Sequence, residues 1–411
     1  MTDSERPRTV AFYLPQFHAI PENDEWWGEG FTEWTNVRRS RPAFDGHDHP
    51  RVPRDLGYYD LGEPADVMKA QIKLARAHGV DAFCFYAYWF DGYRLLERPI
   101  DWYANHGPDF PFCVSWANES WTRRWDGKNS EVLMPQSYAP GYVDRLFEDF
   151  AGYFTAPHAL KVQGRPVFLV HRADQLPDAP AFAATVRARA ARLGLPGIHL
   201  VAAETVRGLD PRPLGFDGVA EFPPVGMNTT ASAVFAPLQG LRKDFRGRIL
   251  SYEKMVHRAE RRADENRYVR YPGVNPGWDN SARRGSRATV YVGSNPGLYR
   301  SWLQNSRRRE HLARGGDGIV FVNAWNEWAE GAYLEPDQTW GDGYLRATVW
   351  DASSGGAQEG KSLAAARSRF WSRGQTFSVG MLLGGSALNS LRSLRRKTAL
   401  VTSKLLRRNF A

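Results

Sequence analysis

Cysteine is nearly absent. Only Cys84 and Cys113 occur in 411 residues, each inside an apolar strand-like run. Two thiols cannot build a disulfide framework or a zinc site, so buried reduced thiols are the expectation. No run approaches the ~20 apolar residues that span a bilayer. The opening residues, MTDSERPRTV, lack the apolar stretch of a secretory leader, which points to a cytoplasmic protein. Asp-x-Asp is absent, as are metal-ligand spacing and a Gly-rich phosphate cradle between a strand and a helix. These absences weigh against a nucleotide-sugar enzyme that needs a metal-bound diphosphate, and no metal or cofactor is expected.

Positive charge is scarce outside one segment. From Ala352 onward eleven Lys and Arg face a single acid, Glu359, whereas the whole chain is only +9, which leaves residues 1–351 at −1. The body therefore has no basic footprint for nucleic acid. The stretch SSGGAQEG reads as a linker, so residues 1–351 are expected to form one catalytic domain and 352–411 a basic appendage. Its Leu residues among Arg and Lys suit a peripheral contact with an anionic membrane, at the inner membrane face; a solvated disordered tail is the alternative.

Within the body, short apolar runs alternate with longer helical patterns. Strands are expected at 9–14, 82–88, 112–116, 166–171, 199–203, 218–221, 268–274 and 318–324. Helices are expected at 64–78, 94–105, 141–153, 181–193, 252–265 and 297–314. The runs are apolar throughout, as in parallel strands covered on both faces. About eight such units predict an α/β fold, a (β/α)8 TIM barrel with elaborated loops after the first and sixth strands. A doubly wound open sheet is the alternative.

Barrel enzymes gather their reacting groups at the carboxyl ends of the strands. Tyr13, Gln16 and His18 follow the first strand, and Tyr88 and Trp89 close the second. Trp116, Asn118, Glu119 and Trp121 follow the third, His171 the fourth, Glu204 the fifth and Glu221 the sixth. Tyr271, Trp278, Asp279 and Asn280 belong to the seventh. The segment EWWGEGFTEW adds Trp27, Glu29, Glu33 and Trp34. Indoles stack on the apolar face of a pyranose, and planar polar groups take its hydroxyls. An oligosaccharide or polysaccharide is the expected partner.

The eighth strand ends in Trp325, Asn326, Glu327, Trp328, Ala329 and Glu330. Glycosidic cleavage takes two carboxyl groups, and an apolar surrounding raises a carboxyl pKa toward that of a proton donor. On an extended strand, residues 327 and 330 would face opposite ways. If the chain turns helically after Asn326, side chains three apart meet at ~5–6 Å between Cβ atoms. The competing reading is two acids placed to favour a helix macrodipole.

AFYLPQFH, WWGEGFTEW, WANESW and WNEWAEG together resemble the glycoside hydrolase family 99-like group over about residues 9–350. In particular they resemble its WbsX-type branch, found among bacterial lipopolysaccharide and O-antigen biosynthesis proteins. The resemblance implies a barrel without metal or cofactor and endo-α-mannosidase-like chemistry with retention. It implies Glu327 as the base on a sugar 2-hydroxyl, whose oxygen closes a 1,2-anhydro ring, and Glu330 as the acid/base on the leaving oxygen. EGFTEW is typical of the WbsX-type branch, so Glu29 and Glu33 would shape a subsite unlike that of the mannosidases.

Three alternatives stand beside this reading. Asn118-Glu119 mimics the dipeptide many barrel glycosidases use for their acid, which would make Glu327 a nucleophile. A glycosyltransferase of O-antigen assembly would use the same sugar-handling groups. A sugar-binding assembly factor would need no chemistry.

Overall fold

The computed structural model describes residues 6–350 apart from 108, 124–130, 235–237 and 263–267. The chain alternates strand and helix as β1 (Arg8–Tyr13), α1 (Pro64–Ala77), β2 (Ala82–Phe90), α2 (Arg98–His106), β3 (Phe112–Trp116), α3 (Tyr142–Thr155), β4 (Arg165–Val170), α4 (Ala179–Arg192), β5 (His199–Ala203), β6 (Gly218–Ala220), α5 (Tyr252–Glu260), β7 in two pieces (Arg270–Tyr271 and Gly273–Val274), α6 (Pro296–Arg314), β8 (Ile319–Val322) and α7 (Gly343–Thr348). Neighbouring strands pair in parallel, and β8 returns to β1 with Arg8 opposite Ile319 and Val10 opposite Phe321.

The expected seventh strand, 268–274, is broken at Pro272 because proline has no N–H for the ladder. The ring still closes. Val219 and Glu221 donate to the carbonyls of Val269 and Tyr271, both at 3.0 Å, while Phe321 and Asn323 donate to those of Pro272 (2.9 Å) and Val274 (2.8 Å). The molecule is therefore a (β/α)8 barrel, not an open sheet. A second difference lies at 94–105. Asp91 and Gly92 take left-handed φ of 52° and 98°, which turns β2 back on itself, and Tyr93–Leu95 pairs with it antiparallel. The helix starts only at Arg98, with Pro99 in its first turn.

The helices begin where local chemistry satisfies their free N–H groups. Asp178 accepts from Ala181 N at the start of α4, and Asn295 accepts from Leu298 N before Pro296 opens α6. The barrel interior is filled by rings. Phe12 lies 5.5 Å from Tyr86 and from Phe321, and 5.1 Å from Phe222. Cys84 and Cys113 are register partners on β2 and β3, both buried and unbridged. Burial pushes the Cys84 thiol up, as suits an inert core residue. Arg307 on α6 is wholly buried and donates to Thr348 O (2.6 Å) and Gly79 O (3.0 Å), tying α6 to α7 and to the turn before β2.

Two long connections build one side of the mouth. The β1–α1 connection forms short helices at Pro21–Trp27 and Glu33–Arg39. The strand Arg248–Ser251, before α5, pairs in parallel with Thr289–Val292, after β7. Together with the first connection they enclose a small core of Ala43, Phe44, Ile249, Ala288 and Val290. The basic segment 352–411 lies outside the described residues; the helix expected over 252–265 ends at Glu260, Arg261 and Arg262 are not helical, and the remainder of that expected helix also lies outside them. Among the described residues no helix is long and apolar enough to cross a membrane.

Candidate active site

β8 leaves the core at Val322, and its continuation is fixed from both sides. Asn326 copies a strand edge: its Oδ1 accepts from Leu14 N (2.7 Å) and its Nδ2 donates to Leu14 O (3.0 Å). After Glu327 the chain makes a tight turn, Trp328–Glu330, closed by Gly331 at φ 59°. A side chain at 331 would put its Cβ 2.9 Å from that of Asp279, so only glycine fits. The turn brings Glu327 and Glu330 to the same group. Arg283 Nη2 lies 2.8 Å from Glu327 Oε2, and Nη1 lies 2.9 Å from Glu330 Oε1. Its Nε donates to Glu33 Oε1 at 2.9 Å. One guanidinium thus serves three acids.

That arrangement sets the protonation. Burial raises the Glu327 carboxyl to about 8; Arg283 pulls it down, while Glu330 and Glu33 push it up. Burial raises Glu330 as well, against the same arginine. Burial opposes the charge on Arg283, but Glu327, Glu33 and Glu330 hold its pKa well above the ordinary range. Burial thus favours the protonated form of both carboxyls against the pull of Arg283, which suits a site that must give one proton and take another.

The pair opens into a cavity of about 360 Å³, the size of a small-molecule site. Trp27, Trp121, Trp278, Tyr86, Tyr88 and Phe222 supply its apolar walls. Gln16, Asn23, Glu119, Ser120, His171, Asn280, Arg283 and Arg284 supply polar groups. Gln16 Nε2 donates to Tyr88 Oη at 2.8 Å, which fixes both rotamers. On the β3–β4 side Glu119 accepts from Arg172 Nη1 at 2.6 Å, and His171 Nε2 stands 3.9 Å away. Burial lowers the His171 pKa, which favours the neutral ring.

Of the expected residues, Gln16, Trp27, Tyr88, Glu119, Trp121, His171, Trp278, Asn280, Glu327 and Glu330 line this cavity. The others do not. Trp325 and Trp328, expected as sugar plates, bury their indoles and donate to Glu335, at 2.9 and 2.6 Å. Trp34 donates to Tyr59 O, and Trp116 donates to Trp89 O, while Trp89 itself reaches Asp149. Asn326 and Asn118 spend their amides on the main chain, Asn118 on Arg172. Tyr13 packs in the core on Gln71, and Tyr271 points to His199 at the opposite end of its strand. Glu204 is held by Arg270 and Arg262 away from the cavity. His18 is buried, Glu29 is exposed on a turn, and Glu33 stands behind the pair rather than in it. For those at strand ends the reason is that a strand has two faces, and alternate residues turn into the barrel wall.

Two residues that matter escaped the sequence reading. Arg283 had one signal: three acids beside apolar rings require a cation, and SARR follows Asn280. Glu335 had less. It lies five residues after Glu330 and accepts from Trp325, Trp328, Gln71 and Tyr59, with burial raising it to about 7.

Residues 9–348 match the model of a family described as Glycosyltransferase WbsX. The chain belongs to the WbsX family. Curated relatives include the uncharacterized protein WxcX from two strains of Xanthomonas campestris pv. campestris. They are 47% and 46% identical over 341 residues, covering 82% of this chain and 48% of the relative. This WbsX-family chain thus spans about half the length of the curated relatives it matches. Among solved structures, a glycoside hydrolase-like protein aligns over 85% of this chain and 94% of its own, with 16% identity and a TM-score of 0.51, a likeness of fold. A GH99 endo-alpha-mannosidase from Bacteroides thetaiotaomicron aligns over 90% of this chain and 100% of its own, at 15% identity and a TM-score of 0.47.

Proposed function

We propose that this WbsX-family chain is a carbohydrate-active enzyme: a retaining glycoside hydrolase or transglycosylase of the endo-α-mannosidase-like type, acting on bacterial surface polysaccharide. The observation that carries this reading is the convergence of Glu327 and Glu330 on Arg283 at the wall of an aromatic-lined cavity. Two carboxyls that share one partner can both reach a single sugar ring.

In the first step Glu327 takes the proton of the 2-hydroxyl, and the 2-oxygen attacks the anomeric carbon. The glycosidic bond breaks with its electron pair going to the leaving oxygen, and Glu330 supplies the proton. In the second step Glu330 deprotonates water, or an acceptor hydroxyl in transfer. That oxygen opens the anhydro ring, and Glu327 returns its proton to the 2-oxygen. Two inversions give retention. In the free site burial favours a proton on either carboxyl. A 2-hydroxyl donated to Glu327 stabilises its anion, and the proton moves to Glu330, where the leaving oxygen needs it.

Glu119 supports a second pairing, as acid opposite a nucleophilic Glu327, because it lines the same cavity. A sugar-diphosphate donor fits less well: Glu119, Glu327 and Glu330 would face its charges, and of the two arginines on the cavity wall Arg283 is committed to three acids, which leaves Arg284 to meet them. The deciding experiment is turnover of the source organism's surface polysaccharide, with NMR of the newly formed anomeric centre and mass spectrometry of the quenched enzyme. Retention without an adduct on the Glu327 peptide is expected. A glycosyl adduct on Glu327 would establish the second pairing, and inversion would end both. A cytoplasmic location, with 352–411 holding the chain to an anionic membrane surface, belongs to the same proposal. Deleting that segment should abolish co-sedimentation with anionic vesicles.

A further inference from the structure

Behind the acid pair lies a second buried cluster that the chemistry above does not use. Asp279, just past β7, has a side chain only 1% exposed. Its Oδ2 faces His47 Nε2 at 2.6 Å and His49 Nε2 at 2.7 Å. Its Oδ1 accepts from Ser281 N (3.0 Å) and Ser281 Oγ (2.6 Å). Its main-chain N–H donates to Glu330 O at 2.6 Å. The guanidinium of Arg51 stands 3.9 Å away and reaches on to Tyr333 Oη.

One residue thus joins three connections: its carboxylate holds the two histidines and Ser281, and its main-chain N–H holds Glu330. The histidines come from the long segment after β1. Ser281 opens the four-residue helix Ser281–Arg284 that carries Arg283. Glu330 belongs to the turn after β8. The joint has no slack, since even a methyl group at Gly331 would collide with Asp279.

Two histidines and a carboxylate with donor atoms this close also suggest a divalent ion. The hydrogen bonds argue otherwise. His47 Nδ1 accepts the N–H of Ala43 at 2.9 Å, so the ring proton sits on Nε2, the nitrogen an ion would need. The charge of Arg51 beside Asp279 opposes a cation as well.

We propose that Asp279, clamped by His47 and His49, is the positioning residue of the acid pair: it fixes the main chain of Glu330 and the helix that aims Arg283 at both carboxyls. The proposal rests on the reading of Glu327 and Glu330 as the catalytic pair, but its test needs no substrate. A hydrophobic carbodiimide reacts with protonated carboxyls, so the pH midpoint of labelling at Glu327, read by peptide mass spectrometry, reports how well Arg283 is aimed. Asp279→Asn should move that midpoint up by about one pH unit, because an opposite charge nearby lowers a carboxyl pKa by ~1–3. Arg283→Gln should do the same, and the double variant should go no further than Arg283→Gln alone. Ser281→Ala, a milder change, should move it in the same direction by less, and it carries the test if Asp279→Asn fails to fold.

An unchanged midpoint in folded Asp279→Asn would make Asp279 merely structural. A lowered midpoint would mean that it acts only as a nearby negative charge. Stoichiometric zinc in the purified protein, lost in Asp279→Asn, would replace the hydrogen-bonded clamp with a metal site. If the midpoints shift as expected while Glu330→Gln keeps full cleavage, the clamp stands and the catalytic reading falls.

Discussion

Glu327→Gln should change how stability depends on pH. The Glu327 carboxyl moves from 4.5 to about 8 on folding, chiefly through burial. The folded state therefore binds more protons than the unfolded chain between those values. Stability from this source is complete below about pH 4.5 and is lost as pH climbs toward 8. At about 1.4 kcal/mol per pH unit, the loss across the window is at most ~5 kcal/mol. Glu330 is raised by burial as well, so removal of one acid also relieves the other. Urea denaturation at pH 5.0 and 8.5 isolates the loss. The drop for the native chain should exceed that for Glu327→Gln by roughly 2–4 kcal/mol, with the variant the relatively more stable at pH 8.5. Parallel profiles would show that Glu327 is ionised throughout, and the reading of a burial-raised carboxyl would fail.

Other outcomes follow from the same geometry. Glu335→Ala strips the acceptor from Trp325, Trp328, Gln71 and Tyr59. At ~1–3 kcal/mol per unpaired buried donor it should cost 4 kcal/mol or more in urea denaturation, and a cost below 1 kcal/mol would show that the indoles find other partners. Gly331→Ala forces a left-handed φ on alanine and a 2.9 Å contact with Asp279. It should cost about 1–3 kcal/mol and reduce cleavage through kcat; a neutral result would mean that the turn can shift. Glu119→Gln should lower kcat less than tenfold and leave the basic limb of the pH–rate profile in place. Loss of that limb would make Glu119 the acid.

The barrel was legible because all-apolar runs and helical periodicity are local signals, and both recur at the right spacing. The break at Pro272 was legible in principle, since proline cannot complete a ladder. The hairpin at Tyr93–Leu95 was not, because it depends on Asp91 adopting a left-handed φ that its residue type only tolerates. At the site, spacing pointed to Glu327 and Glu330 but could not say which indoles face the sugar. Trp27, Trp121 and Trp278 line the cavity, whereas Trp325 and Trp328, adjacent to the pair in sequence, turn inward to Glu335. Which face a residue presents after a strand ends depends on partners far away in the chain, such as Leu14 for Asn326. Arg283 and Asp279 belong to the same class: their roles appear only when the β7 and β8 connections meet.

The most direct test of the catalytic pair is Glu330→Gln, assayed for oligosaccharide binding and for cleavage on the same glycan. The amide keeps the shape and an acceptor for Arg283 but has no proton to give. The account predicts unchanged affinity with kcat reduced by at least ~10²-fold. Full cleavage by Glu330→Gln would contradict it.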